Sequence, residues 1–193
     1  MNSNNLMSLR PVALAVVVGL SLVAVPAAHA GEDDTPLYLS AAHSISRDSN
    51  FSRDSTRQAE TINSTAVQVG VDKAYGRQTY RGSAKLSKST YAHYGDLLNN
   101  DGKDVNGLVS SEFLRDWKVA LGGVYTENLN QVTDNNDAAN RVVRNIRTYR
   151  DGNIVVQYGI GGLYSVAATY DSNKLKYSVP SYQINDANQH SSG

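Results

Sequence analysis

Two Arg-Asp-Ser triplets, Arg47-Asp48-Ser49 and Arg53-Asp54-Ser55, stand in one polar stretch that runs on to Glu60. Asp48, Asp54 and Glu60 are hard oxygen donors of the kind a calcium ion takes, but the tight D-x-[DN]-x-[DN]-G spacing is missing. Asp134-Asn135-Asn136-Asp137 comes nearer, yet it has no Gly or closing Glu at the required places. Both stretches read as solvated surface loops, and no metal site is expected. The four histidines, His29, His43, His93 and His190, are scattered and suggest neither a ligand pair nor a general base. No serine sits in a G-x-S-x-G setting, and the chain has no cysteine to act as nucleophile, thiolate ligand or disulfide. Asn63-Ser64-Thr65 matches a glycosylation sequon but falls inside a strand pattern. No catalytic residue, metal or cofactor is expected, and the chain does not read as an enzyme.

The polar residues that remain fall at alternate positions along extended segments. They are Gln68, Arg81, Lys85, Asn106, Glu112, Lys118, Arg147, Asp151, Asn153 and Gln157. Arg81 and Lys85, four residues apart on one side of a strand, have the charge and hydrogen-bonding capacity to bind acidic sugar groups.

Those residues must be positioned by strands, because the hydrophobic pattern from Leu37 onward has period two. Val67, Val69 and Val71 alternate with Gln68 and Gly70, and Tyr80, Gly82, Ala84 and Leu86 with Arg81, Ser83 and Lys85. The same alternation marks segments near Leu37–Ser46, Val105–Phe113, Trp117–Glu127, Asn145–Tyr158 and Leu163–Tyr170. Seven strands are expected. The sixth runs unbroken through Asp151-Gly152, since its alternation keeps phase there, although that pair also suits a hairpin turn. The tail from Asp171 reads as a loop.

Composition narrows the class. Lys and Arg total 18 and Asp and Glu total 18, so no net field draws the chain to nucleic acid. Hydrophobic residues make up 40 %, yet there are 12 Tyr against 2 Phe and 1 Trp. Tyr in that excess suits surfaces that are apolar along the body and wet at the tip. Residues 1–30 read as a secretory signal peptide: Arg10, an apolar run from Pro11, and Ala28-His29-Ala30 as the cleavage site. The run is shorter than the roughly 20 residues of a spanning helix.

The strands approach the roughly 9–11 residues that a tilted strand needs to cross a bilayer. Long and short connections alternate, as when one barrel rim faces the periplasm and the other the exterior. Tyr80, Phe113, Trp117, Tyr158 and Tyr164 gather beside the short turns, where an aromatic girdle belongs. Charges on the apolar side lie near strand ends, with Arg150 the exception, expected at the outer rim. The expected fold is all-β, a transmembrane antiparallel β-barrel over 31–193, with the ten polar residues lining its lumen. The competing fold is a soluble periplasmic β-sandwich.

Two stretches resemble a known family. Arg47–Asp54, "RDSNFSRD", and Gly70–Leu97, "GVDKAYGRQTYRGSAKLSKSTYAHYGDL", resemble the first-strand motif and the following turn and strand of EpsL-like β-barrel porins. These are outer-membrane proteins encoded with exopolysaccharide biosynthesis operons of Gram-negative bacteria, and the likeness weakens toward Tyr170. The resemblance implies a non-enzymatic porin-like barrel supporting exopolysaccharide export. Its partners would be outer-membrane lipid, lipopolysaccharide and the barrel-assembly machinery. Family members are much longer, and seven is an odd strand number where single-chain bacterial barrels have even ones. The chain is therefore expected to be the N-terminal part of a larger barrel. The alternatives are an anchor whose long loops bind partners, and the carbohydrate-binding sandwich.

Overall fold

The computed structural model describes residues 16–22, 36–52, 58–133 and 142–193. Their strands form one antiparallel sheet in strict chain order. The strands are β1 (Val16–Leu22), β2 (Leu37–Asp48), β3 (Glu60–Tyr75), β4 (Gln78–Tyr91), β5 (Asn100–Phe113), β6 (Trp117–Thr133), β7 (Val142–Tyr158), β8 (Val166–Tyr177) and β9 (Ala187–Ser192). One helical turn, α1 (Gly95–Leu98), lies between β4 and β5, and a 3-10 turn at Pro180–Asn185 leads into β9. The first and last strands of the sheet are β1 and β9, and they do not pair with one another, so the sheet is open.

Several expectations change. The described residues form nine strands rather than seven, still an odd number. One extra strand, β1, falls inside the expected signal peptide and pairs with β2 from Val16–Arg47 to Leu22–Ala41. The other, β9, falls in the tail read as a loop. Its polar sequence shows no hydrophobic alternation, and it forms because backbone groups pair with β8 from Leu175–Ala187 to Tyr170–Ser192. The two-sheet sandwich is not what forms: the described strands make a single sheet.

The long sixth expected strand is correct and longer still, since β7 runs through Asp151-Gly152 to pair with β6 on one side and β8 on the other. Between β3 and β4 a two-residue turn places Gly76 at φ +59, at the first central position where a II′ turn needs glycine. The β5–β6 turn is less relaxed, with Leu114 at φ 49 and Arg115 at φ 66. Each such non-glycine residue costs about 1–2 kcal/mol.

The sheet has no ordinary hydrophobic core. Among the described residues only Phe51 and Leu98 are buried hydrophobics. Leu39, Val69, Leu86, Val105, Val109, Leu121, Ile154, Val166 and Tyr170 are all exposed. Following the register from β2 to β8 shows that these side chains share one face. The opposite, polar face is the more covered one: along β2, Ser40, Ser44, Ser46 and Asp48 are partly buried while Leu37, Leu39, Ala41 and Ile45 are exposed. A soluble sheet has this relation the other way round.

The glycines show the same asymmetry. A Cβ on Gly102 would strike the side chains of Asn128 and Ser87, and one on Gly122 that of Asn153, all on the polar face. On the apolar face Gly152 has open space, and Gly82 is close only to the backbone of the neighbouring strand, not to a side chain. Side chains crowding on one face and splaying on the other are what a sheet curling toward its polar side produces.

Candidate functional site

The register brings all ten polar residues singled out above onto one face. Gln68 pairs with Lys85, Glu112 with Lys118, Lys118 with Gln157, and the parity of each strand carries Arg81, Asn106, Arg147, Asp151 and Asn153 to the same side. They are brought together as a polar ladder with cross-strand contacts. Arg81 Nε donates to Asp72 Oδ1 at 3.1 Å, and Lys85 Nζ lies 4.0 Å from Asp104 Oδ2. Asp104 Oδ1 also accepts from Asn128 Nδ2 at 2.8 Å. Asn106 Nδ2 donates to Ser83 Oγ at 2.8 Å, and Lys118 Nζ sits 3.9 Å from Glu112 Oε1. The Arg147 guanidinium lies over the Tyr149 ring at 5.6 Å, and Tyr149 donates to Asp151 Oδ2 at 3.3 Å.

Arg81 and Lys85, the pair expected to suit acidic sugar groups, do not stand alone on this face. Each already faces a carboxylate across a strand pair, because Asp72 and Asp104 occupy the opposing register positions. The face as a whole leans acidic: Asp48, Glu60, Asp72, Asp104, Glu112, Asp151 and Asp171 stand against Arg81, Lys85, Lys118 and Arg147. Exposed pairs such as Arg81–Asp72 contribute only about 0–1 kcal/mol, so they set local charge more than stability.

At the end of the sheet that carries the long connections, the polar face is capped. Glu60 is fully buried, and its carboxylate collects backbone N–H groups. Thr61 N donates at 2.7 Å, Ala92 N at 2.8 Å, His93 N at 3.1 Å and Tyr94 N at 3.0 Å. His93 Nδ1 lies 3.6 Å from the same carboxylate. Phe51 packs on Tyr91 and Tyr94 at ring-centre distances of 5.8 and 5.5 Å. The turn α1, pinned by this cluster, lies against β7 as well as β4. The loop between β4 and β5 thus crosses the ends of β5 and β6 to reach a strand three places away. On β7 Asn145 is fully buried, and neither of its side-chain polar atoms has a hydrogen-bond partner among the described residues.

This cap corrects the reading of the opening stretch as solvated throughout. Phe51 and Ser52 are buried, and Glu60 is an anchor, while Arg53, Asp54 and Arg57 lie outside the described residues. Asp134–Asp137 also lies outside them. Phe51 next to a polar stretch was the available signal, since an aromatic residue in a loop needs a surface to cover it.

At the other end, Phe113, Trp117 and Tyr158 form one row on the apolar face. Phe113 stacks on Trp117 at 6.5 Å, and Trp117 meets Tyr158 at 5.0 Å, each pair contributing about 0.5–1.5 kcal/mol beyond burial. Tyr80 shares that face two residues from the β3–β4 turn. Tyr164 does not join them. It lies in the β7–β8 connection, because Gly159 at φ +85 and Gly161-Gly162 break the strand until Val166.

Comparison with family models, with curated proteins and with solved structures finds no match for this chain. The likeness to EpsL-like porins therefore rests on the residues quoted for it.

Proposed function

We propose that the chain is a non-enzymatic, porin-like component of the outer membrane whose apolar face meets lipid and whose polar face lines a hydrated passage. The observation that carries this reading is the reversed burial: apolar side chains lie on the open face and polar side chains on the crowded one. Residues 1–30 would direct export and leave on cleavage, so β1 would depart and β2 would become an edge. Both edges of the remaining sheet must then be paired, since lipid satisfies no backbone donors or acceptors.

Strand dimensions support the same reading. On β6 the apolar face carries no charge from Trp117 to Tyr125, a nine-residue run about 26 Å long along the strand. At a tilt of about 40° that run covers about 20 Å of membrane, close to the roughly 25 Å apolar band of such barrels. The EpsL-like motifs point to exopolysaccharide export as the setting. The acidic lean of the polar face favours cationic or neutral solutes over a polyanion held by Arg81 and Lys85.

Heat-modifiable gel mobility and carbonate-resistant outer-membrane fractionation test the embedding; a protein released by carbonate would end the proposal. Conductance across planar bilayers tests the passage, with a reversal potential favouring cations as the expected result. A second reading, a silent anchor whose loops bind partners, is favoured by the Glu60-pinned loop across the polar face. A well-inserted protein without conductance, opened by removal of residues 92–98, would select that reading.

A further inference from the structure

The two faces divide the charges unequally. Across β2–β8 the apolar face carries the basic residues Arg47, Lys73, Lys88, Lys103, Arg144, Arg150, Lys174 and Lys176 against only Asp101 and Glu127. The whole chain is neutral and its polar face leans acidic, so this basic excess is a property of placement. It is concentrated on neighbouring strands. Arg150 and Lys174 are direct register partners, and Lys176 follows two residues along β8 on the same face. With Thr148 and Glu127 these three line one recess of about 170 Å³.

Like charges opposite one another on a sheet repel, and the recess holds one acid, Glu127, against these three cations. Glu127 is already engaged, accepting from Lys103 Nζ at 2.8 Å and from Tyr125 OH at 2.6 Å. Arg150 rests over the Tyr125 ring at 5.4 Å, and neither Lys174 nor Lys176 has an ion pair among the described residues. Immediately below the cluster the apolar face turns uncharged. Gly152 and Ser172 form the next rung, with open space over Gly152, and Ile154 and Tyr170 the one after.

We propose that Arg150, Lys174 and Lys176 hold the phosphate of a phosphorylated lipid headgroup, whose acyl chain lies over Gly152 toward Ile154 and Tyr170. The proposal deepens the membrane reading above and rests on it. A phosphate satisfies the three cations by charge-assisted hydrogen bonds, with Arg150 offering a two-pronged donor. The adjoining uncharged surface asks for an apolar tail on the same molecule, which selects a lipid over a free anion. Lysine and arginine at this height keep their stems on the apolar belt and their heads at headgroup level.

The full chain inserted in phosphatidylcholine vesicles provides the test, with spin-labelled phosphatidic acid and spin-labelled phosphatidylcholine as probes. The fraction of each probe immobilised by protein is read by electron paramagnetic resonance. Phosphatidic acid should be preferred about tenfold, in line with attraction of anionic lipid by several basic residues. The triple variant Arg150→Gln/Lys174→Gln/Lys176→Gln should lose that preference, and the milder Lys176→Gln alone should weaken it. Lys73→Gln, on the same face at the short-turn end of β3, should leave it unchanged. Equal immobilisation of the two lipids by the native, inserted chain would overturn the site while leaving the membrane reading intact. Loss of the preference in millimolar inorganic phosphate would overturn the lipid as the occupant. A chain that fails to insert in neutral vesicles would overturn both.

Discussion

Replacing Leu121 by arginine separates a lipid-facing sheet from a water-facing one. Leu121 is the midpoint of the uncharged run on β6, flanked on its rung by Val109 and Ile154, and 49 % exposed in the chain alone. If water covers that face, Arg at so open a position changes stability by no more than about 0.5 kcal/mol. If lipid covers it, the run's span of about 20 Å puts Leu121 about 10 Å from either edge of the belt. An arginine near the midplane costs about 2–4 kcal/mol. The folding equilibrium should then fall about 30- to 700-fold, at tenfold per 1.4 kcal/mol. Ser110→Arg is the matched control: it lies on the polar face beside the short side chains of Thr79 and Ala120, and should change stability by less than about 1 kcal/mol. Guanidinium titration in phosphatidylcholine vesicles, followed by the emission of Trp117, measures both. Equal small losses for the two variants would refute lipid contact on the apolar face, as would cooperative folding of Leu121→Arg in plain buffer.

Three other outcomes follow from single features. Glu60→Ala leaves the N–H groups of His93 and Tyr94 without their acceptor, so their hydrogen exchange should accelerate well over tenfold, from a local loss of about 2–3 kcal/mol, while Ala92 N keeps the Thr61 carbonyl; unchanged protection would show that the loop is held by other contacts. Leu114→Gly and Arg115→Gly should each raise the denaturation midpoint, by about 1 kcal/mol at constant slope, because glycine adopts φ near +50 to +66 without strain. Gly122→Ala should destabilise by about 1–3 kcal/mol, since its methyl group meets Asn153, whereas Gly152→Ala has open space and should be within about 0.5 kcal/mol of the parent. Equal effects of the two alanines would contradict the crowding of the polar face.

Parity made most of the sheet legible in advance. A side-chain period of two assigns each residue to a face once a strand is recognised, and any antiparallel register then aligns the faces. That is why the ten polar residues, from Gln68 to Gln157, share one face although their partners were unknown. Phe113, Trp117 and Tyr158 were legible for the same reason, being next to turns on the same parity. Carrying the parity past Tyr170 would also have put Lys174 and Lys176 on the same face as Arg150, but Asp171-Ser172-Asn173 interrupts the apolar signal that parity is read from.

Pairing was not legible, because backbone hydrogen bonds do not depend on side-chain type. The polar β9 exists only through its ladder with β8, and β1 only through its ladder with β2. Which carboxylate neutralises Arg81 or Lys85 depends on register, and register depends on the length and geometry of turns such as the one at Gly76. The cap is the clearest case. Glu60 is an unremarkable acidic residue along the chain, and it becomes an anchor because residues 92–94, more than thirty positions away, present their N–H groups to it. The alternation of apolar and polar residues thus determined the strands and their two faces. The tertiary structure decided which face is crowded and which open, since curvature and long-range contact belong to the assembled sheet and to no single strand.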